Sequence, residues 1–129
     1  MKQKLSCLTL SIALLASSNW CNAANRYVSA GSDGDGLSWA TAKSSIKSAV
    51  ESCHTGDTVF VSSGLYNEYV SIVDGVNILG GYNADTGARD IETFETILDG
   101  TGLGKFLIVK YDSPGENPTL IEGLTLQNA

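Results

Sequence analysis

No apolar run in this sequence of 129 residues reaches the roughly 20 residues a helix needs to cross a bilayer. Clustered basic residues are missing as well: eight Lys and Arg are scattered along the chain against fourteen Asp and Glu. Nucleic-acid binding rests on neutralising phosphates, and attraction to anionic lipid rests on basic patches, so the composition excludes both as main partners. Cysteine is scarce. Of three, Cys7 and Cys21 lie in the segment that ends at Ala23, and Cys53 alone follows them. A chain that begins at Ala24 therefore holds no intrachain disulfide. The one histidine is His54. Between the strand-like runs no helical pattern occurs, which argues against a sheet built from strand–helix–strand units.

The segment from Met1 to Ala23 has the organisation of an export signal. Lys2 and Lys4 give a positive start, and Leu5 to Ala16 is an apolar stretch broken by Ser6, Thr9 and Ser11. Cys21-Asn22-Ala23 then offers small side chains at the two positions a signal peptidase reads, making Ala24 the new N-terminus. A membrane anchor is the rival reading, and the stretch is short for it. A lipoprotein acylated at Cys21 is a second rival, but Ser18-Asn19-Trp20 is bulky and polar for that signature. Cleavage removes two of the eight cations and none of the fourteen acids, so six face fourteen and the net charge is −8. The stretch from Ala24 to Ala129 suffices for one small domain.

From Thr58 onward, short β-favouring runs alternate with Gly, Asn and Asp: Thr58-Val59-Phe60-Val61, Tyr69-Val70-Ser71-Ile72-Val73, Val76-Asn77-Ile78-Leu79 and Phe106-Leu107-Ile108-Val109. Three pentapeptides share one pattern of hydroxyl, two aliphatics, acid and glycine. They are Ser71-Ile72-Val73-Asp74-Gly75, Thr96-Ile97-Leu98-Asp99-Gly100 and Thr119-Leu120-Ile121-Glu122-Gly123, and their starts are almost evenly spaced. Gly75-Val76-Asn77-Ile78-Leu79 and Gly123-Leu124-Thr125-Leu126-Gln127 continue in step. A recurrence of this length in an all-β sequence predicts the stacked coils of a solenoid, with glycines at the corners; the plainer alternative is a sandwich of similar short strands. A solenoid needs atypical ends to cover its core. Ala42, Ile46, Ala49, Val50 and Cys53 form one helical stripe, with Ser44 or Thr41 to cap its start and Gly56 after its end. A short amphipathic helix over the first coil would serve as that cover.

The order of these motifs resembles the N-terminal region of bacterial pectate-lyase-like β-helix proteins, which include exported Bacteroidetes-type proteins and relatives of polymorphic outer-membrane proteins. The resemblance is carried by Tyr27-Val28-Ser29-Ala30-Gly31-Ser32-Asp33-Gly34-Asp35-Gly36, Ser38-Trp39-Ala40-Thr41-Ala42, Gly56-Asp57-Thr58-Val59-Phe60-Val61 and Gly64-Leu65-Tyr66-Asn67-Glu68. It continues through Gly75 to Tyr82, Arg89-Asp90, Thr96 to Gly100 and Ile121 to Leu126. It implies an all-β, right-handed parallel β-helix with a short N-terminal capping α-helix. The expected organisation is a signal peptide over 1–23, a cap over 24–57 and first coils over 58–129. It further implies an extracellular, cell-surface or outer-membrane location, an extracellular glycan or host surface as partner, and further coils or self-association at the C-terminal end.

Candidate chemistry is sparse. Cys53-His54 pairs the one thiol outside the leader with the one histidine, but neighbouring helix residues point about 100° apart, which disfavours a nucleophile–base pair. Asp33 and Asp35 lie among glycines, yet a calcium loop needs more oxygens and a bidentate Glu, so a Gly/Asp turn is the simpler account. Asp74, Asp99 and Glu122 would stack on one corner if the pentapeptides were in register, as a calcium ladder or an acid–base pair; each also precedes a glycine, the composition of a turn. Lyases of the resembled type need an Arg or Lys beside the calcium, and the nearest cations, Lys105 and Lys110, belong to another segment. Arg89-Asp90 reads as a loop with a local salt bridge. Tyr66, Tyr69, Tyr82, Tyr111 and Trp39 could form a sugar-stacking platform or pack corners. The expectation is a non-catalytic, adhesin-like secreted module without a cofactor, calcium being the one candidate ion; the alternative is the N-terminal fragment of a polysaccharide lyase or glycoside hydrolase.

Overall fold

The computed structural model describes residues 23–104, 107–110 and 118–128. The leader read over 1–23 lies outside the described residues except for Ala23, as do Lys105, Phe106 and Tyr111. Among the described residues, nine strands and one helix follow in the order β1 (Asn25–Val28), α1 (Ile46–Glu51), β2 (Thr58–Ser62), β3 (Gly64–Tyr66), β4 (Val70–Val73), β5 (Asn77–Tyr82), β6 (Thr96–Asp99), β7 (Leu107–Lys110), β8 (Ile121–Glu122) and β9 (Leu124–Gln127). The expected all-β character is thus observed.

Three sheets result, with strand orders β1-β2-β5-β8, β3-β6-β9 and β4-β7, and every strand pair within them is parallel. From β2 onward, consecutive strands enter different sheets, and each pairs with the strand three places later in the chain. Parallel strands require a long crossover, usually a helix. Here the crossovers are themselves strands of the other two sheets.

Alternation sets which side chains turn inward. Val59 and Val61 of β2, Val70 and Ile72 of β4, Ile78 of β5 and Leu98 of β6 are fully buried and meet in one core. Each such aliphatic contributes about 1.5–3 kcal/mol through its removal from water. The stripe Ala42, Ile46, Ala49, Val50 and Cys53 is buried in full, and α1 packs against β1, β2 and β4.

Two expectations need correction. The helix is capped by Ser45, not by Ser44 or Thr41: its backbone is extended (φ −123°, ψ 126°) and its hydroxyl accepts from Ser48 N. Thr41 is taken up elsewhere, its N–H donating to Ser38 O at 3.2 Å. The second correction concerns the repeat. Ser71–Val73 belongs to β4, Thr96–Asp99 to β6 and Ile121–Glu122 to β8, so the three pentapeptides sit in three different sheets. The residues that do pair, such as Thr58 with Asn77, Thr96 with Leu124 and Ile78 with Ile121, lie 19, 28 and 43 positions apart. The pentapeptide therefore encodes a strand meeting a turn, wherever one occurs. Gly75 and Gly123 take the left-handed conformation such turns need (φ 82° and 76°).

Candidate functional site

The same alternation that buries Val28, Val59 and Val61 sends Tyr27 and Phe60 to the opposite face of the four-stranded sheet. Tyr27 and Phe60 are register partners across β1 and β2, and their rings stack with centroids 5.4 Å apart and planes 27° apart. A register shift in the pairing of β2 with β5 brings Tyr82 opposite Ser62. Its ring meets the Phe60 ring edge-on at 5.3 Å. Trp39 arrives from the loop after β1 and closes the circuit, 5.0 Å from Tyr27 and 5.5 Å from Tyr82. All four rings are half-buried.

Arg89 forms the border of this group. Its guanidinium lies 5.5 Å from the Tyr82 ring centroid, its Nε donates to Gly80 O at 2.9 Å, and its Nη2 meets Glu122 Oε1 at 2.9 Å. The local salt bridge expected between Arg89 and Asp90 is not made; Arg89 reaches across strands to Glu122 instead. Asp90 accepts first from the Thr93 hydroxyl and then from the backbone of Glu92 and Thr93, which lowers its carboxyl below the usual range.

The platform read from the sequence is thereby redrawn. Trp39 and Tyr82 belong to the circuit. Tyr66 does not: it is buried, accepts from Ala30 N at 3.0 Å and donates to Ser62 O at 3.1 Å, and burial raises its phenol. Tyr69 lies under Lys47, whose Nζ is 4.9 Å from the ring centroid. Tyr111 is outside the described residues.

The three acids of the pentapeptides are not brought together, because their strands belong to different sheets. Asp99 sits in a polar row at the ends of β3, β6 and β9. Asn67 donates to its carbonyl at 2.9 Å, and its carboxylate accepts from Thr101, Gln127 and Asn128. The Thr101 hydroxyl leads these donors in holding the carboxyl down to about 2. Asp74, 5 % exposed, lies in the turn after β4, and among the described residues neither of its carboxylate oxygens has a hydrogen-bond partner. Glu122 pairs with Arg89. Among the described residues no group of three or more His, Cys, Asp or Glu is placed to hold a metal ion.

Cys53 and His54 part company as well. The Cys53 thiol is buried, donates to Ala49 O at 3.2 Å, and is pushed up to about 11, first by burial and then by the nearby Asp57 charge. That leaves little thiolate for nucleophilic work, and His54 is exposed. Asp35 accepts from Leu37 N at 3.0 Å in an exposed turn, the simpler of the two accounts of that loop.

Two acids, Asp57 and Glu68, have organising roles that the motifs containing them did not reveal. Glu68, from the link between β3 and β4, accepts from the Ser45 hydroxyl and from the backbone N–H groups of Ile46 and Lys47 at 2.8–3.0 Å. Asp57, 3 % exposed, accepts from Ala24 N and His54 N, each at 2.8 Å. Tyr27 and Phe60 were legible in principle, since each alternates with buried valines. Comparison with family models, with curated proteins and with solved structures gives no match to this chain.

Proposed function

We propose that this chain is a non-catalytic parallel β-helix module of an exported protein, and that the aromatic circuit on its first sheet engages extracellular glycan. The observation that carries the binding role is the half-exposed group of Tyr27, Trp39, Phe60 and Tyr82, edged by a guanidinium, on the solvent side of a sheet whose other side is core. Aromatic faces and edges of this kind accept the apolar faces of sugar rings while their polar tips and the arginine take hydroxyl or carboxylate groups. The carboxylate at the border of the circuit, Glu122, is held by Arg89.

Support for the β-helix comes from the pairing of each strand with the strand three places later, one turn of the chain contributing one strand to each of three sheets. Parallel crossovers are right-handed in nearly all proteins, which gives the coil its hand. Export rests on the organisation of residues 1–23 and cleavage after Ala23.

The exported chain, passed over an array of neutral and acidic polysaccharides, is expected to be retained by a subset of them. Phe60→Ala, which opens the middle of the circuit, is expected to reduce that retention at least about tenfold. A chain that folds yet is retained by no polysaccharide overturns the binding role.

A further inference from the structure

Asp57 is an acid where a sequence of this kind has little reason to bury one. It follows the turn after α1 and precedes β2, and its backbone carbonyl accepts from Asn77 N at 2.9 Å. Its side chain is 3 % exposed, and among the described residues no cationic side chain makes an ion pair with it. Two amide donors face it instead; the other titratable and charged groups around it are Cys53, whose thiol is held up to about 11, first by burial and then by this charge, Arg26 of β1, which bonds the Ser52 hydroxyl, and the exposed His54. His54 N meets Oδ2 at 2.8 Å, and Ala24 N meets Oδ1 at 2.8 Å. Ala24 is itself fixed, its carbonyl accepting from Thr58 N at 3.0 Å at the head of the β1–β2 pairing. Ala23, one residue earlier, is exposed.

A buried carboxylate is costly unless it is paired with a charge. We infer that Asp57 is the receptor for an α-ammonium group at Ala24, created when the leader is removed. This rests on the proposed cleavage after Ala23. Hydrolysis of the Ala23–Ala24 amide consumes one water, leaves a carboxylate on Ala23 with the departing leader, and leaves an amine on Ala24 that takes up a proton. The nitrogen that donated one neutral N–H to Oδ1 then offers three protons and a positive charge at the same place. The pair becomes a charge-assisted hydrogen bond screened from water. Processing and final stability are thereby coupled: the leader-bearing chain has the donor without the charge.

The sign of the pH dependence follows. A neighbouring carboxylate favours the charged amine, so its folded pKa lies above the roughly 8 of an unfolded α-amine. The stabilisation is complete below about pH 8 and is lost as pH rises through the raised folded value.

The full gene is expressed in an exporting bacterium and the product is sequenced from its N-terminus, with Ala24 expected first. The thermal midpoint is then followed from pH 7 to 10 for this product and for a portion whose α-amine has been acetylated while unfolded, before refolding beside an untreated control. Acetylation restores a neutral amide N–H at the same atom. The untreated protein is expected to have the higher midpoint at pH 7 and to lose that advantage with rising pH, and its folded α-amine to acylate at least about tenfold more slowly than in urea. Asp57→Asn is expected to flatten the difference; should that variant not fold, the acetylated arm decides. A first residue other than Ala24 overturns the cleavage reading and this inference together. Ala24 first, with identical pH profiles for both forms, overturns this inference alone.

Discussion

Asp99 shows how far one carboxylate can be committed to the fold without taking part in chemistry. Its oxygens accept from the Thr101 backbone and hydroxyl, Gln127 and Asn128, and its carboxyl is held at about 2. A folded value below that of the unfolded chain means stability that is present above about pH 4 and drains away as pH falls toward 2. Denaturation midpoints measured from pH 6 to 2 are expected to fall less steeply in Asp99→Asn than in the wild type. Equal slopes would mean that the donors around Asp99 do not discriminate its charged form. Glu68 is committed in another way. It satisfies two of the N–H groups that the first turn of α1 leaves without intrahelical partners, a service usually supplied from within the helix. Glu68→Ala is expected to lower the unfolding free energy by about 2 kcal/mol in urea titrations, and Glu68→Gln by less, because the amide oxygen still accepts.

The elements themselves were written locally and could be read locally. The runs read from Thr58, Tyr69, Val76 and Phe106 correspond to β2, β4, β5 and β7, each strand starting within one residue of the run; of the stripe read as one helix, Ile46, Ala49 and Val50 form the buried face of α1, while Ala42 and Cys53 are buried just outside it. Partnership between elements could not be read the same way. Ser71–Gly75, Thr96–Gly100 and Thr119–Gly123 look alike because each meets the same local demand, a strand giving way to a turn, while pairing is decided by residues many positions apart. The site suffered from the same limit. Trp39 and Tyr82 were visible as aromatics, but Tyr66 was indistinguishable from them until its hydroxyl was seen bonded to Ala30 and Ser62. Glu68 stands in one of the motifs that carry the resemblance, but its partner is not legible there, the N–H of Ile46 that it accepts lying 22 residues away.

For the whole molecule, the close approach of the paired strands β5 and β8 is a tight constraint. A Cβ placed on Gly80 would stand 2.4 Å from the carbonyl oxygen of Gly123, and one placed on Gly123 would stand 2.7 Å from that of Gly80. Backbone meets backbone there, so neither partner has a side chain that can move aside. Gly80→Ala is expected to push β5 and β8 apart and to cost about 2–4 kcal/mol in unfolding free energy. Gly102→Ala, where the added carbon meets nothing within 4 Å but the backbone is left-handed (φ 79°), is expected to cost only about 1 kcal/mol.

The parallel pairing also governs time. Among the strand pairs from β2 onward, register partners are separated by at least the 19 positions between Thr58 and Asn77, and by as many as the 43 between Ile78 and Ile121. No pair among the described strands is a hairpin that could zip from a tight turn, so each must close a long loop before any contact rewards it. Chains dominated by such distant contacts fold in milliseconds to seconds rather than microseconds. On the export proposed above, a polypeptide that must stay threadable until it has passed through a narrow translocation pore would gain its delay from this topology, with no separate device to hold it open.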